Sequence, residues 1–380
     1  MTKLSRRRLL GLIGGGALVA LGDGAWHITR PVGNAVAPWA TAGQFEDARL
    51  RALSWAILAP NPHNRQPWLL DLSEPDTAVL YVDTKKLLPH TDPFSRQIVI
   101  GLGCFLETLQ IAAAQDGLLT DIALFPEGSD VRMLDARPVA RITFRRGAEA
   151  DPDFPLLAQR RTQKEPYDLA RPVAEAEIDR LVASVRHGTR AQGSVDPGDI
   201  QTFRALSEAA MQLEIDTPRT YKESVDLFRI GRAEVNANPD GIDFTGPMFE
   251  ALHLSGQFSR DLALDRDSTA FKSGLDAVLE NMRTAMGHVW LTTAVNTRED
   301  QITAGRDWMR LHLAATRTGL ALQPLSQALQ EYPEMAGLYA DAHRRLAKPG
   351  ETVQMWARVG YCAEVPASPR WPIEAKILHG

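Results

Sequence analysis

Asparagine, histidine, arginine and glutamine crowd the stretch APNPHNRQPW, from Ala59 to Trp68. Its prolines fix φ and lack a backbone N–H, so it is neither helix interior nor central strand. It reads as an irregular loop presenting Asn61, His63, Asn64 and Gln66. A second cluster, QRRTQKEPY, sets Arg160, Arg161, Thr162 and Lys164 just ahead of a helical stretch that starts near Ala174. Guanidinium forks beside a hydroxyl and an ammonium suit a phosphate, although a solvated basic turn has the same composition. In a third, LQPLSQAL, Pro324 and Leu325 lead to Ser326 and Gln327. Such a turn can aim consecutive backbone N–H groups at a flat ring acceptor, or can be a plain exit from a helix. The fourth, PASPRWPIEAK, holds Arg370 between Pro369 and Pro372.

Other chemistries find little support. The chain has 380 residues, 44% hydrophobic and 23% charged, within the ordinary range for a globular protein. Its net charge of -5 shows no bulk preference for nucleic acid. Cys104 and Cys362 are too few for a disulfide framework or a cysteine zinc site, and both read as buried thiols. The histidines form no HxxxH or HxH pair, so no metal site is expected. GLGCF lacks the third glycine of a dinucleotide fingerprint and lies within an apolar helix. There is no GxSxG motif.

The elements that must position these clusters can be read coarsely. FEDARLRALSWAILA is a helix stopped by Pro60. WLLDL and TAVLYVD are strands joined by the turn SEPD. RQIVIGLGCFLETLQIAAAQDG is a long apolar helix closed by Gly117, and VARITFRR is a further strand. The connection GAEADPDFP then leads to a second series. A shift of 202 residues pairs Gly103 with Gly305, Leu109 with Leu311, Ala112-Ala113 with Ala314-Ala315, and Gly117-Leu118 with Gly319-Leu320. Both copies are followed by a strand. Two generic Ala/Leu-rich helices are the alternative, but an ungapped match favours internal duplication, with two α+β halves packing their long helices together. Residues 236–283 fit neither copy and read as a lid or binding segment, or as a peripheral helical excursion.

The N-terminus, SRRRLLGLIGGGALVALG, resembles a twin-arginine export signal: Arg6 and Arg7 precede an apolar run too short for a comfortable membrane span. Ala40-Thr41-Ala42 has a small-x-small form far from that run, and Ala35-Val36-Ala37 is followed by Pro38. Cleavage and an uncleaved inner-membrane anchor both stay open. The expectation is a periplasmic protein that meets the twin-arginine export machinery already folded, with residues 1–43 outside the fold. Domains are then expected at 44–150 and 151–380.

Together, APNPHNRQPW, RRTQKEPYD, GLALQPLSQ and RVGY…SPRWPIE resemble the nitroreductase superfamily of flavin enzymes, closest to its internally duplicated, Acg-like branch. The resemblance spans about residues 45–378. It implies a nitroreductase-like α+β fold and FMN, bound where the first loop from one half meets the three other clusters from the second. It further implies a monomeric pseudodimer keeping one of two ancestral flavin sites. In that reading Arg160, Arg161 and Arg370 hold the phosphate, with Thr162 and Lys164 assisting. Asn61 and Asn64 meet the ring edge, His63 contacts flavin or substrate or steadies the loop, and Gln66 braces the loop. Pro324 to Gln327 face flavin N5 and O4. Asn61 replaces the branch's usual serine, and Ser368 stands where many members carry lysine. The implied activity is two-electron reduction of small planar acceptors such as nitroaromatics or quinones. The rival is a flavin-sequestering protein with little turnover, since an exported protein should not meet NAD(P)H.

Overall fold

The computed structural model describes residues 32–379, so the twin-arginine motif lies outside the described residues. The first part runs through α1 (Gly33–Thr41), α2 (Ala48–Ala56), β1 (Trp68–Asp71), β2 (Thr77–Val82), α3 (Arg96–Gln115), β3 (Leu118–Leu124) and β4 (Ala140–Arg146). Next come α4 (Glu175–Val182), β5 (Arg190–Ser194), α5 (Pro197–Asp216), α6 (Pro218–Asp226), β6 (Phe228–Ile230), α7 (Gly231–Ala237) and β7 (Ile242–Phe244). The chain continues through α8 (Pro247–Leu254), α9 (Arg260–Leu264), α10 (Thr269–Arg283), β8 (Gly287–Thr293), α11 (Arg298–Thr318) and β9 (Ala321–Pro324). It closes with α12 (Ala336–Leu346), β10 (Thr352–Gly360) and β11 (Ile377–His379).

This is an α+β fold with two principal sheets. Their orders are β11-β1-β2-β4-β3 and β5-β8-β10-β9. Apart from β11, every pairing in them is antiparallel, and the two orders correspond strand for strand. The chain end breaks the correspondence: β11 leaves the second half and pairs parallel to β1, covering that edge of the first sheet.

Between the sheets, α3 and α11 cross at their matched glycines. A Cβ on Gly103 would collide with the Ile302 carbonyl and come within 2.9 Å of Gly305 Cα. One on Gly305 would collide with the Ile100 carbonyl and come within 2.8 Å of Gly103 Cα. The shift of 202 residues that pairs the glycines also pairs Ile100 with Ile302, so the contact is the same from either side. Both helices end at a left-handed glycine, Gly117 at φ 69° and Gly319 at φ 70°. Apolar on all sides, α3 is long and apolar enough to cross a membrane, yet it lies buried as a core helix.

Two boundaries differ from the sequence-based expectation. Residues 33–41, assigned there to the leader, form α1, and Ala35 is buried in the fold. The extra segment is also wider than 236–283. Strands β5 and β8 are sheet neighbours, as β1 and β2 are, but residues 195–286 separate them where a short turn joins β1 to β2. The segment therefore begins with α5, whose apolar face has the helical spacing of any core helix and so does not betray an insertion.

Candidate functional site

The loop from Ala59 to Trp68 is held in an unusual backbone form. His63, Asn64 and Gln66 all have left-handed φ, near 50°, without being glycine. Each such residue costs of order 1 kcal/mol and persists only when its surroundings fix it. Gln66 supplies that fixing. Fully buried, it receives the Trp371 N–H on Oε1 at 2.9 Å and donates from Nε2 to the Pro239 carbonyl at 2.7 Å. Its own carbonyl accepts from Lys376 Nζ at 2.7 Å. Gln66 thus braces the loop, and its amide is fully engaged by protein.

Asn61 and Asn64 are also turned into the loop, whereas the sequence reading aimed them at a ring. Asn61 Oδ1 accepts the Gln66 N–H at 2.7 Å, and its Nδ2 donates to Ala59 O at 3.2 Å. Asn64 Oδ1 accepts from Arg370 Nη1 at 2.7 Å, while its Nδ2 donates to Pro369 O at 3.0 Å. These bonds tie the loop to the C-terminal arm. The residue types suit either role, and only tertiary placement separates them.

Two of the arginines meet at one carbonyl. Arg160 and Arg370 are each 3% exposed, and each donates from Nη2 to the Leu58 carbonyl at 3.1 Å. Arg370 also donates to Ala59 O at 3.2 Å and to Ser368 Oγ at 2.7 Å. Ser368 therefore orients Arg370 without adding charge. Arg161 donates to the carbonyls of Ala158 and Arg160, both at 2.8 Å. Among the described residues no carboxylate comes within ion-pair distance of Arg160, Arg161, Lys164 or Arg370. Burial pushes Arg160 down to about 10 and Arg370 to about 9, and Arg370 Nε is buried with no acceptor. Buried cations without anions cost several kcal/mol. The donor set therefore fits a phosphate.

Beside the arginines, Lys164 and Asp243 are solvent-accessible by area. Yet desolvation by the surrounding protein lowers the Lys164 ammonium and raises the Asp243 carboxyl, each opposed by the other's charge. Thr162 is half-buried next to Arg161. Burial and then Lys164 hold His63 down to about 4, so its ring is neutral at pH 7, with Nε2 at 3.1 Å from Ser224 Oγ.

Across the site, Pro324 ends β9 opposite Ala357, and buried Leu325 donates its N–H to Trp356 O at 2.8 Å. The next two backbone N–H groups, of Ser326 and Gln327, find no protein acceptor among the described residues. They stand ahead of the 3-10 turn Gln327–Leu329, available to a ring oxygen or nitrogen.

Two site residues escaped the sequence reading. Trp39 of α1 was set aside with the leader. Glu214 of α5 looked like the polar face of an amphipathic helix, but it is 5% exposed and accepts from Gln330 Nε2 at 2.6 Å. It also bonds the side chains of Gln327 and Ser224, so it links the His63 loop to the Ser326-Gln327 turn. Burial pushes Glu214 from 4.5 up to about 7. Between those values the folded chain keeps a proton that the unfolded chain releases, so stability falls as pH rises through this window and is level above it. Glu214→Gln is accordingly expected to raise the melting temperature at pH 8 by roughly 3–6 °C and to leave it nearly unchanged at pH 4, read by calorimetry.

The loop leading into β5 is instead held by a carboxylate. Asp307 of α11 accepts the N–H groups of Arg186, His187 and Thr189 at 2.6, 2.8 and 3.0 Å. Here the arginines have carboxylates: Arg310 meets Glu107 at 2.5 Å, Asp151 at 2.7 Å and Asp153 at 2.8 Å. Arg306 meets Glu107 at 2.9 Å.

No family model matches the chain. It is 25% identical over 342 residues to "Putative NAD(P)H nitroreductase acg" of Mycobacterium tuberculosis, covering 86% of this chain and 94% of that protein. A second M. tuberculosis protein with a nitroreductase name is 24% identical, covering 90% of this chain and 93% of its own. A solved "putative nitroreductase" from Anabaena variabilis superposes at TM-score 0.42 with 10% identity, covering 87% of this chain and 91% of that one. Along most of its length the chain is similar to curated proteins named putative NAD(P)H nitroreductases.

Proposed function

We propose that the chain is an FMN-binding oxidoreductase that reduces planar acceptors such as nitroaromatics or quinones. The observation that carries this reading is the pair of buried guanidinium groups, Arg160 and Arg370, meeting at Leu58 with no carboxylate within ion-pair distance among the described residues. Arg161, Thr162 and Lys164 extend the same cationic wall. When bound, FMN supplies two-electron transfer between a donor and an acceptor stacked on its ring. The protein's part is to hold the phosphate, to offer the Ser326 and Gln327 N–H groups to the ring edge, and to keep His63 neutral against it. The NAD(P)H in the relatives' names supports a nicotinamide donor for the chain before export, whereas turnover in the periplasm requires a different donor.

We further read the chain as an internal duplication acting as a monomeric pseudodimer, with one site kept and its counterpart closed by ion pairs. The twin-arginine motif supports export to the periplasm after folding, with cleavage or anchorage to the inner membrane as alternative fates.

A sequestering role is favoured by a separate observation. The extra segment bonds across the loop, with the Gly241 N–H donating to Asn64 O at 3.2 Å and Asp240 paired with Lys86 and Arg229. The test is to titrate the full chain with FMN and follow its reduction by stopped flow. Fast reduction by NADPH and reoxidation by a quinone support the enzyme. Slow reduction even by dithionite supports sequestration, and failure to bind FMN sinks both.

A further inference from the structure

Helix α1 touches three parts of the candidate site at once. The Trp39 ring lies under two of its cations, with Arg161 Cζ 4.5 Å and Arg370 Cζ 5.5 Å from the ring centroid. Its indole Nε1–H donates to Ser368 O at 2.8 Å, in the arm that carries Arg370. The Arg370 N–H donates to Ala35 O at 2.7 Å, and the Ala35 N–H donates to Asn236 Oδ1 at 3.2 Å, in α7 of the extra segment. The basic turn, the C-terminal arm and the extra segment are thereby fastened together by nine residues of helix.

Stacking on an indole occupies the face of a guanidinium and leaves its N–H edge free. Arg161 commits only Nη1, to two backbone carbonyls, and Arg370 keeps Nε without an acceptor. Two like charges this close would otherwise turn apart. The aromatic face, negative at its centre, lets them stay together, with Arg161 Nε and Nη2 and Arg370 Nε not spent on protein acceptors among the described residues.

We propose that α1 is a strap completing the phosphate end of the site, and that Trp39 is a positioning residue that makes the site prefer a phosphorylated flavin to an unphosphorylated one. This rests on the FMN reading above. It bears on maturation: a cut after Ala42 would release the strap from the chain, whereas a cut before Gly33 would leave it attached.

The test uses the full chain and compares FMN with riboflavin by quenching of flavin fluorescence. Trp39→Ala is expected to weaken FMN about tenfold, as loss of a partly desolvated cation–π stack should, and to leave riboflavin unchanged. Trp39→Phe, which keeps an aromatic face but not the N–H, is expected to retain most of the preference. Equal FMN affinity in wild type and Trp39→Ala would overturn the strap, as would an equal loss for both flavins, which marks a merely structural role. A wild-type chain that binds FMN no better than riboflavin would overturn the phosphate assignment itself, together with the strap.

Discussion

Changing Arg160 and Arg370 together to alanine is expected to strip FMN from the chain while leaving it folded. A charge-assisted hydrogen bond is worth about 1.5–3 kcal/mol, so losing two such donors should weaken FMN by roughly a hundredfold to ten-thousandfold. The fold has reason to survive. Both side chains are desolvated and have no carboxylate within ion-pair distance among the described residues, and removing them relieves that cost. What the protein loses is donors to the carbonyls of Leu58 and Ala59 and to Asn64 Oδ1, a partial offset. Flavin fluorescence measures the affinity and circular dichroism the fold. A double variant that keeps FMN at wild-type affinity would refute the assignment of these arginines.

The second large effect concerns the axis between the halves. Gly103→Ala is expected to destabilise the chain by about 3 kcal/mol or more. The added methyl meets the Ile302 carbonyl and the Gly305 backbone, which cannot yield by rotating a side chain. Gly274→Ala is the control. That glycine lies inside α10 with nothing within 4 Å of an added Cβ, so alanine there should stabilise by about 0.5–1 kcal/mol. Chemical denaturation of the two variants separates them by sign. A Gly103→Ala protein as stable as wild type would mean that the helices do not cross at this glycine.

Much of this arrangement is legible in the sequence because its causes are local. Strands β1 and β2 announce themselves by β-branched and aromatic residues on either side of a polar turn. Helix α3 does so by its apolar length and closing glycine. The glycine pair emerged from the repeat because close helix contact tolerates no side chain at either position. The loop could be recognised as irregular from its prolines, and Gln66 as its brace. What stayed hidden depends on distant partners. Asn61 and Asn64 carry amides suited to a ring edge, and only the arrival of Arg370, from 306 residues away, shows where the Asn64 carbonyl oxygen goes. Glu214 obeys helical periodicity like any surface acid, and its burial follows from Gln330 and Ser224 packing over it. Trp39 was masked by its neighbours in sequence, since nothing local distinguishes a strap from the tail of a leader. The crossing of β11 to the first sheet has no local sign either, because three residues of strand say nothing about which edge they will join.

One open site opposite one closed by ion pairs is the central claim, and it is a claim about number. The most direct measurement is the FMN titration of the full chain, taken to saturation and scored as moles of flavin per mole of protein. One FMN per chain is expected, because among the described residues Arg160, Arg161 and Arg370 have no carboxylate within ion-pair distance, whereas Arg306 and Arg310 have theirs. Two per chain, or none, would contradict it.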